Sequence, residues 1–166
     1  MQILELDTCK STNLVARWLL DNNDYADVIA TRKQTQGKGR SGNWFSPEDC
    51  GIYMSVIRSA HADPDVFTES VGIRLAMLLQ KYFQLLIYKK GINDLYIDNK
   101  KLGGILCEYH AASDKLIIGL GLNTYKPTKV RKDLLNSAVW LNEYASETRI
   151  IHKELVKMIA EEILSI

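Results

Sequence analysis

Apolar positions recur along this chain with two periods, and the switches between them mark its elements. Ile3 to Leu6 (Ile-Leu-Glu-Leu) predicts a short strand, and Leu14 to Leu20 predicts a helix whose start can be capped by Ser11-Thr12-Asn13. Asp27 to Thr31 and Gly51 to Ile57 are rich in β-branched and aromatic residues and predict strands. Asp63 and Pro64 punctuate a helix start, after which Phe67, Val71, Leu75, Leu78 and Tyr82 recur at spacings of three and four, the stripe of a helix that covers a sheet. Met77 in that helix is expected to fill core.

The second half predicts more strand than helix. Leu85 to Lys90 is expected as a strand, and Leu95-Tyr96-Ile97 pairs through the tight turn Asp98-Asn99-Lys100 with a hairpin partner running from Lys101 to Tyr109. Leu116 to Asn123 is the most apolar run, so a central strand is expected there. Ala138-Val139-Trp140-Leu141 predicts an apolar plug, and a last helix is expected from about His152 to Ile163.

At 166 residues the chain fits one domain with a real core. Its 46% apolar and 25% charged content is ordinary for a soluble protein, and a net charge of +1 argues against duplex DNA or an anionic membrane as a partner. Cys9, Cys50 and Cys107 are odd in number and widely spaced, which predicts reduced thiols in a cytoplasmic protein. The start lacks a basic region before a long apolar run, so neither a signal peptide nor a membrane span is expected. His61, His110 and His152 are scattered, and no residues fall at metal-ligand spacing.

The candidate chemistry centres on Gln34 to Pro47. Gly37, Gly39 and Gly42 alternate there with Lys38 and Arg40, so the backbone can approach a ligand closely while two cations converge on it. A solvated basic turn is the plainer alternative, but the strand-like run before the loop and the pair Trp44 and Phe45 after it favour a loop that holds an anion. Ser11-Thr12-Asn13 is open to two readings, as a cap or as a ligand contact at a helix N-terminus. Asn93-Asp94 reads from composition as a turn, while Lys101 heads a strand interrupted by Gly103 and Gly104, where a ligand can come close. Gly119 and Gly121 alternate, fall on one face and leave room there.

Taken in order, Ser11-Thr12-Asn13, Gln34 with Gly37-Lys38-Gly39-Arg40-Ser41-Gly42, Trp44-Phe45-Ser46-Pro47, Asn93-Asp94, Lys101 to Leu106 and Gly119 to Asn123 resemble the biotin protein ligases over nearly the whole chain. The resemblance implies an α/β (α+β) fold related to class II aminoacyl-tRNA synthetases, a mixed β-sheet with helices mainly on one face. It implies ATP-dependent formation of biotinyl-AMP, with Mg2+, and transfer of biotin to a lysine of a biotin carboxyl carrier protein domain. Lys101 and Arg40 would be the catalytic cations. Ser11, Thr12, Asn13, Gln34, Lys38, Gly39, Arg40, Lys101 and Gly104 would line the biotin site. Lys38, Arg40, Ser41, Trp44, Asn93, Asp94, Lys101 and Asn123 would meet ATP or the adenylate, with Asp94 toward Mg2+. The resemblance also implies pairing of subunits through sheet edges.

Where relatives carry Lys-Trp-Pro-Asn-Asp this chain has Lys90-Gly91-Ile92-Asn93-Asp94, so a looser pocket is expected. No N-terminal winged helix and no C-terminal β-barrel is expected within residues 1–166, and with them no DNA binding. Two rival functions remain: a lipoate or octanoate ligase or transferase of the same superfamily, and a relative that binds biotin without turnover. Against the first, no Arg-Arg-x-Gly-Gly-Gly segment is present.

Overall fold

The computed structural model describes residues 1–39, 50–60, 63–146 and 150–166. Its strands are β1 (Ile3–Leu6), β2 (Val28–Thr31), β3 (Gly51–Ser59), β4 (Tyr88–Lys90), β5 (Asp94–Ile97), β6 (Lys100–His110) and β7 (Lys115–Asn123), and its helices α1 (Thr12–Asp21), α2 (Pro64–Phe83) and α3 (His152–Leu164). The seven strands form one sheet in the order β1-β2-β3-β7-β6-β5-β4. β1 and β2 are parallel, with α1 in the crossover that a parallel pair requires, and every other pair is antiparallel. The most apolar run, β7, is the middle strand, as expected.

The sheet is a mixed one with α2 and α3 on one face and α1 on the other. Against the first face, Phe67, Val71, Leu75 and Leu79 of α2 and Leu155, Val156 and Ile159 of α3 bury onto Met54, Ile105, Ile118 and Leu120. Each such side chain contributes roughly 1.5–3 kcal/mol of burial, which makes this the principal core. On the opposite face α1 covers only part of the sheet, packing Ala16 and Leu19 on Ile29, Ile57 and Ile117. The cavity forms on the rest of that face, over β6, β5 and the part of β7 beyond the start of α1.

Asp63 caps α2 as its sequence suggested, its Oδ1 accepting from the backbone of Asp65 at 2.9 Å. Asp98 and Asn99 both have positive φ, 47° and 60°, and make the two-residue turn that pairs Ile97 with Lys100. The plug is buried throughout, from Ala138 at 8% exposed to Leu141 at 0%.

Two expectations are corrected. Met77 is 65% exposed, because the buried stripe of α2 passes through Leu75, Ala76 and Leu79 and leaves position 77 on the outer side. The strand expected from Leu85 shortens to Tyr88–Lys90, since Gln84 ends α2 in a left-handed conformation and the next residues serve as the connection. There Leu86 points out, 71% exposed, while Ile87 is buried.

The register carries the site. Asp94 pairs with Gly104, Gly104 with Gly121 and Gly121 with Tyr53, one row of residues on the α1 face; the next row holds Leu106, Gly119 and Ser55. Between β5 and β6 the register shifts: Leu95 faces Gly103, but Tyr96 faces Lys101. The extra residue, Leu102, turns into the core at 0% exposed, and Lys101 takes the same face as Asp94 and Gly104.

Candidate active site

The cavity, about 160 Å3, lies where the N-terminus of α1 meets the row Gly104–Gly121. One wall is Ser11, Thr12, Asn13 and Gln34; the opposite wall is Asn93, Asp94 and Lys101; Lys38 and Gly39 of the glycine loop also line it. Ile105, Leu106 and Leu120 supply its apolar lining beside the glycines. Of the expected site residues, then, Ser11, Thr12, Asn13, Gln34, Lys38, Gly39, Asn93, Asp94, Lys101 and Gly104 come together on one cavity. Arg40, Ser41 and Trp44 lie outside the described residues.

Of the two readings of Ser11-Thr12-Asn13, the cap is not supplied by the Ser11 side chain: Ser11 is the N-cap residue of α1 but makes no capping bond with it. The cap comes instead from Gln34, whose Oε1 accepts from the Thr12 backbone N–H at 2.8 Å. Gln34, 7% exposed, is itself held beside Cys9 by a parallel bridge, with Thr35 N–H donating to the Cys9 carbonyl at 2.9 Å. Burial there pushes the Cys9 thiol up to about 11.

Asn13 is seated over Gly119, so close that a Cβ on that glycine would lie 2.3 Å from its Oδ1. Gly119 was expected to leave room for a ligand, but much of that room is taken by Asn13. Its amide is engaged at both ends, Nδ2 donating to Glu108 Oε2 at 2.6 Å and Oδ1 lying 2.6 Å from Ser55 Oγ. Asn13 therefore shapes the wall more than it offers hydrogen bonds across it.

On the opposite wall the Lys101 ammonium meets Asp94 Oδ1 at 2.7 Å. Its backbone is clamped as well: Lys101 N–H donates to Ser137 at 2.8 Å, and the Lys101 carbonyl accepts from Val139 N–H at 3.0 Å. The Ile105 N–H donates to the Asn93 carbonyl at 2.8 Å, fixing the turn before β5. Tyr96, next on that face, has its phenol raised above the usual range by burial and then by the nearby Asp94 charge. Gly91 is in the left-handed region at φ 62° and Ile92 is 40% exposed, and neither lines the cavity.

Asn123, expected on the ribose or adenine side of the nucleotide, lies at the end of β7. It does not line the cavity, and its Nδ2 donates to the carbonyls of Val139, at 3.1 Å, and Lys101, at 3.3 Å, stapling the end of β7 to the plug. Two residues that sequence reasoning passed over stand behind the helix wall, Ser55 and Glu108. Ser55 could have been noticed as the hydroxyl interrupting an apolar strand, and Glu108 as the charge closing a glycine-rich one.

Residues 5–123 match the model of the biotin/lipoate A/B protein ligase family. The chain belongs to that family. Among similar proteins, the bifunctional ligase/repressor BirA of Bacillus subtilis is 30% identical over 154 residues, covering 85% of this chain and 46% of the relative. BirA of Escherichia coli is 27% identical over 144 residues, covering 82% and 44%. This member of the family thus spans about half the length of those curated relatives. The biotin protein ligase of Aquifex aeolicus, solved in complex with biotin and ATP, superposes with a TM-score of 0.83 at 23% identity, over 99% of this chain and 69% of that one. That likeness speaks to the fold: a family sheet with α1 against one face and α2 and α3 against the other.

Proposed function

We propose that residues 1–166 act as a catalytic domain that joins biotin to AMP and passes it to a lysine of a biotin carboxyl carrier protein. The observation that carries the reading is the opposition of two unlike walls across one cavity: polar groups at a helix N-terminus, and a cation clamped by its own backbone. A biotin carboxylate oxygen attacks the α-phosphorus of ATP and pyrophosphate leaves. The carrier's lysine nitrogen then attacks the acyl carbon and AMP leaves. In the first step two anions must meet, so fixed cations have to offset their repulsion and hold the charge that develops.

Lys101 takes that part, and Lys38 from the loop adds a second charge, with Arg40 as the further cation the family resemblance implies. Thr12 and Gln34 hold the biotin head at the other end, and Gly39 and Gly104 allow its chain to pass close to the backbone. Asn93 and Asp94 face the phosphates. Asp94 is paired with Lys101, and Mg2+ brought in on the triphosphate would need only its carboxylate beside the phosphate oxygens. Cys9, Cys50 and Cys107 are not joined in disulfides, and among the described residues no helix is long and apolar enough to cross a membrane.

The test is exchange of labelled pyrophosphate into ATP, with biotin, lipoate or octanoate as the acid. Biotin-dependent exchange is expected. Exchange driven by lipoate or octanoate alone would assign the domain to the other branch of the family. Saturable biotin binding without exchange would make it a binding protein.

A further inference from the structure

A chain of hydrogen bonds runs from outside the cavity into its helix wall, and its direction is set at the outer end. Glu108 holds the Arg17 guanidinium on Oε1 at 3.3 Å and Asn13 Nδ2 on Oε2 at 2.6 Å. The Leu106 carbonyl faces the same nitrogen at 3.4 Å. Carboxylates and carbonyls only accept, so of the two ways an asparagine amide can lie, one is allowed here. Asn13 must turn Oδ1 toward Ser55.

That oxygen accepts and nothing more, and the single proton of Ser55 Oγ, 2.6 Å away, has to serve it. Ser55 then has no proton for Thr12 Oγ1, and two oxygens 2.7 Å apart need one between them, so the hydroxyl of Thr12 donates there rather than to Gln34 Oε1, its other acceptor within reach at 3.3 Å. With its proton spent inward, Thr12 has only lone pairs to offer the cavity it lines. Gln34 is fixed in a similar way, for its Oε1 faces the Thr12 N–H and its Nε2 donors are turned from the helix. The wall therefore carries an acceptor on one residue and donors on the next.

We propose that Glu108, acting through Asn13 and Ser55, is a positioning residue that makes Thr12 an obligate acceptor, so that the site selects acids whose head group bears an N–H donor beside a carbonyl, as a cyclic urea does. This rests on the biotin reading for its ligand. A linear fatty acid or a dithiolane has no N–H to give and would leave the Thr12 lone pairs and Gln34 donors unmatched, the kind of mismatch that buried polar sites reject strongly. Glu108 does not line the cavity itself; its influence is on which way three protons point.

The experiment measures KM for biotin, KM for ATP and melting temperature in the pyrophosphate exchange assay for wild type, Glu108→Ala, Glu108→Gln and Ser55→Ala. Glu108→Ala and Ser55→Ala should raise the biotin KM by about tenfold or more, the worth of one misdirected hydrogen bond, with ATP KM unchanged. Glu108→Gln should stay near wild type, because its amide oxygen still accepts from Asn13. A role in packing alone would move both KM values together and would not be rescued by glutamine. Ser55→Ala removes one oxygen and leaves the Glu108–Asn13 bond in place, so it tests the relay even if Glu108→Ala fails to fold. Biotin KM within twofold of wild type in both alanine variants overturns the relay alone. Wild type that exchanges with octanoate or lipoate and not with biotin overturns both the selection and the reading beneath it.

Discussion

The Lys101 ammonium reaches the Asp94 carboxylate, at 2.7 Å, only because the register between their strands slips by one residue. Had β5 and β6 paired without the shift, Lys101 would share a face with Gly103 and Ile105, toward the core. The slip sends Leu102 there and turns the lysine to the cavity. Lys101→Ala should therefore lower biotin-dependent exchange by at least ~10²-fold, as for removal of a preorganised charge-stabilising group. The ammonium is about one-third exposed, 34%, so its pair with Asp94 should contribute no more than about 1 kcal/mol to stability. Circular dichroism and urea denaturation should find the fold essentially unchanged. Activity within tenfold of wild type would remove Lys101 from the chemistry.

That slip also marks the limit of what the sequence makes legible. The strands β1, β2, β3 and β7 and the helix α2 follow from local periodicity and caps, because each buries a regular stripe or run. A bulge breaks the period of two from which face is read, so nothing in Lys101-Leu102-Gly103 alone says which side chain faces the ligand. Gln34 posed the same difficulty. Its capping of Thr12 spans 22 positions in sequence, and so a helix with three plausible local caps takes its cap from elsewhere. Ser55, Asn13 and Glu108 converge from three elements, and only the fold brings them together. Met77 failed for a simpler reason: a helix stripe has a width, and spacing alone does not say where its edge falls.

Glycines at two positions should respond differently to alanine. Gly119→Ala would put a Cβ 2.3 Å from Asn13 Oδ1 in the middle strand, forcing Asn13 off Ser55 and lifting the start of α1. A loss of about 1–3 kcal/mol in urea denaturation is expected, together with weaker biotin binding. At Gly91 the space is open, with nothing within 4 Å, but φ is +62°. Gly91→Ala should cost about 1–2 kcal/mol through backbone strain alone and leave biotin binding in place. If Gly119→Ala proved as stable as wild type, the seating of Asn13 on that glycine would be wrong.

The thiols set a pH dependence whose sign follows from burial. Cys9 and Cys107 are both pushed from 9.0 up to about 11, since burial penalises the thiolate. The folded chain thus holds these protons over a range where the unfolded chain has lost them. Stability from this source is intact below pH 9 and falls as pH rises from 9 toward 11, which denaturant titrations across that range would follow. In the native protein both thiols should react slowly with iodoacetamide at about pH 8, and both should react faster once unfolded. Rapid native labelling at either position, read by peptide mass, would contradict the burial.

Gln34 has two separable duties, and two substitutions divide them. Gln34→Ala removes the acceptor that caps Thr12, which should cost about 1 kcal/mol of stability, and removes the donors facing the cavity, which should weaken biotin binding. Gln34→Glu keeps an oxygen where Oε1 stands and adds a negative charge at a helix N-terminus, where the helix dipole offsets part of the cost of burying it. Its stability should lie closer to wild type than that of the alanine variant, while its biotin affinity falls at least as far, because a carboxylate has no N–H to donate. Calorimetry with biotin and urea denaturation on the same samples separate the two effects. If the glutamate variant bound biotin as tightly as wild type, the donors would not be used, and the cavity's polar wall would owe its affinity to Thr12 alone.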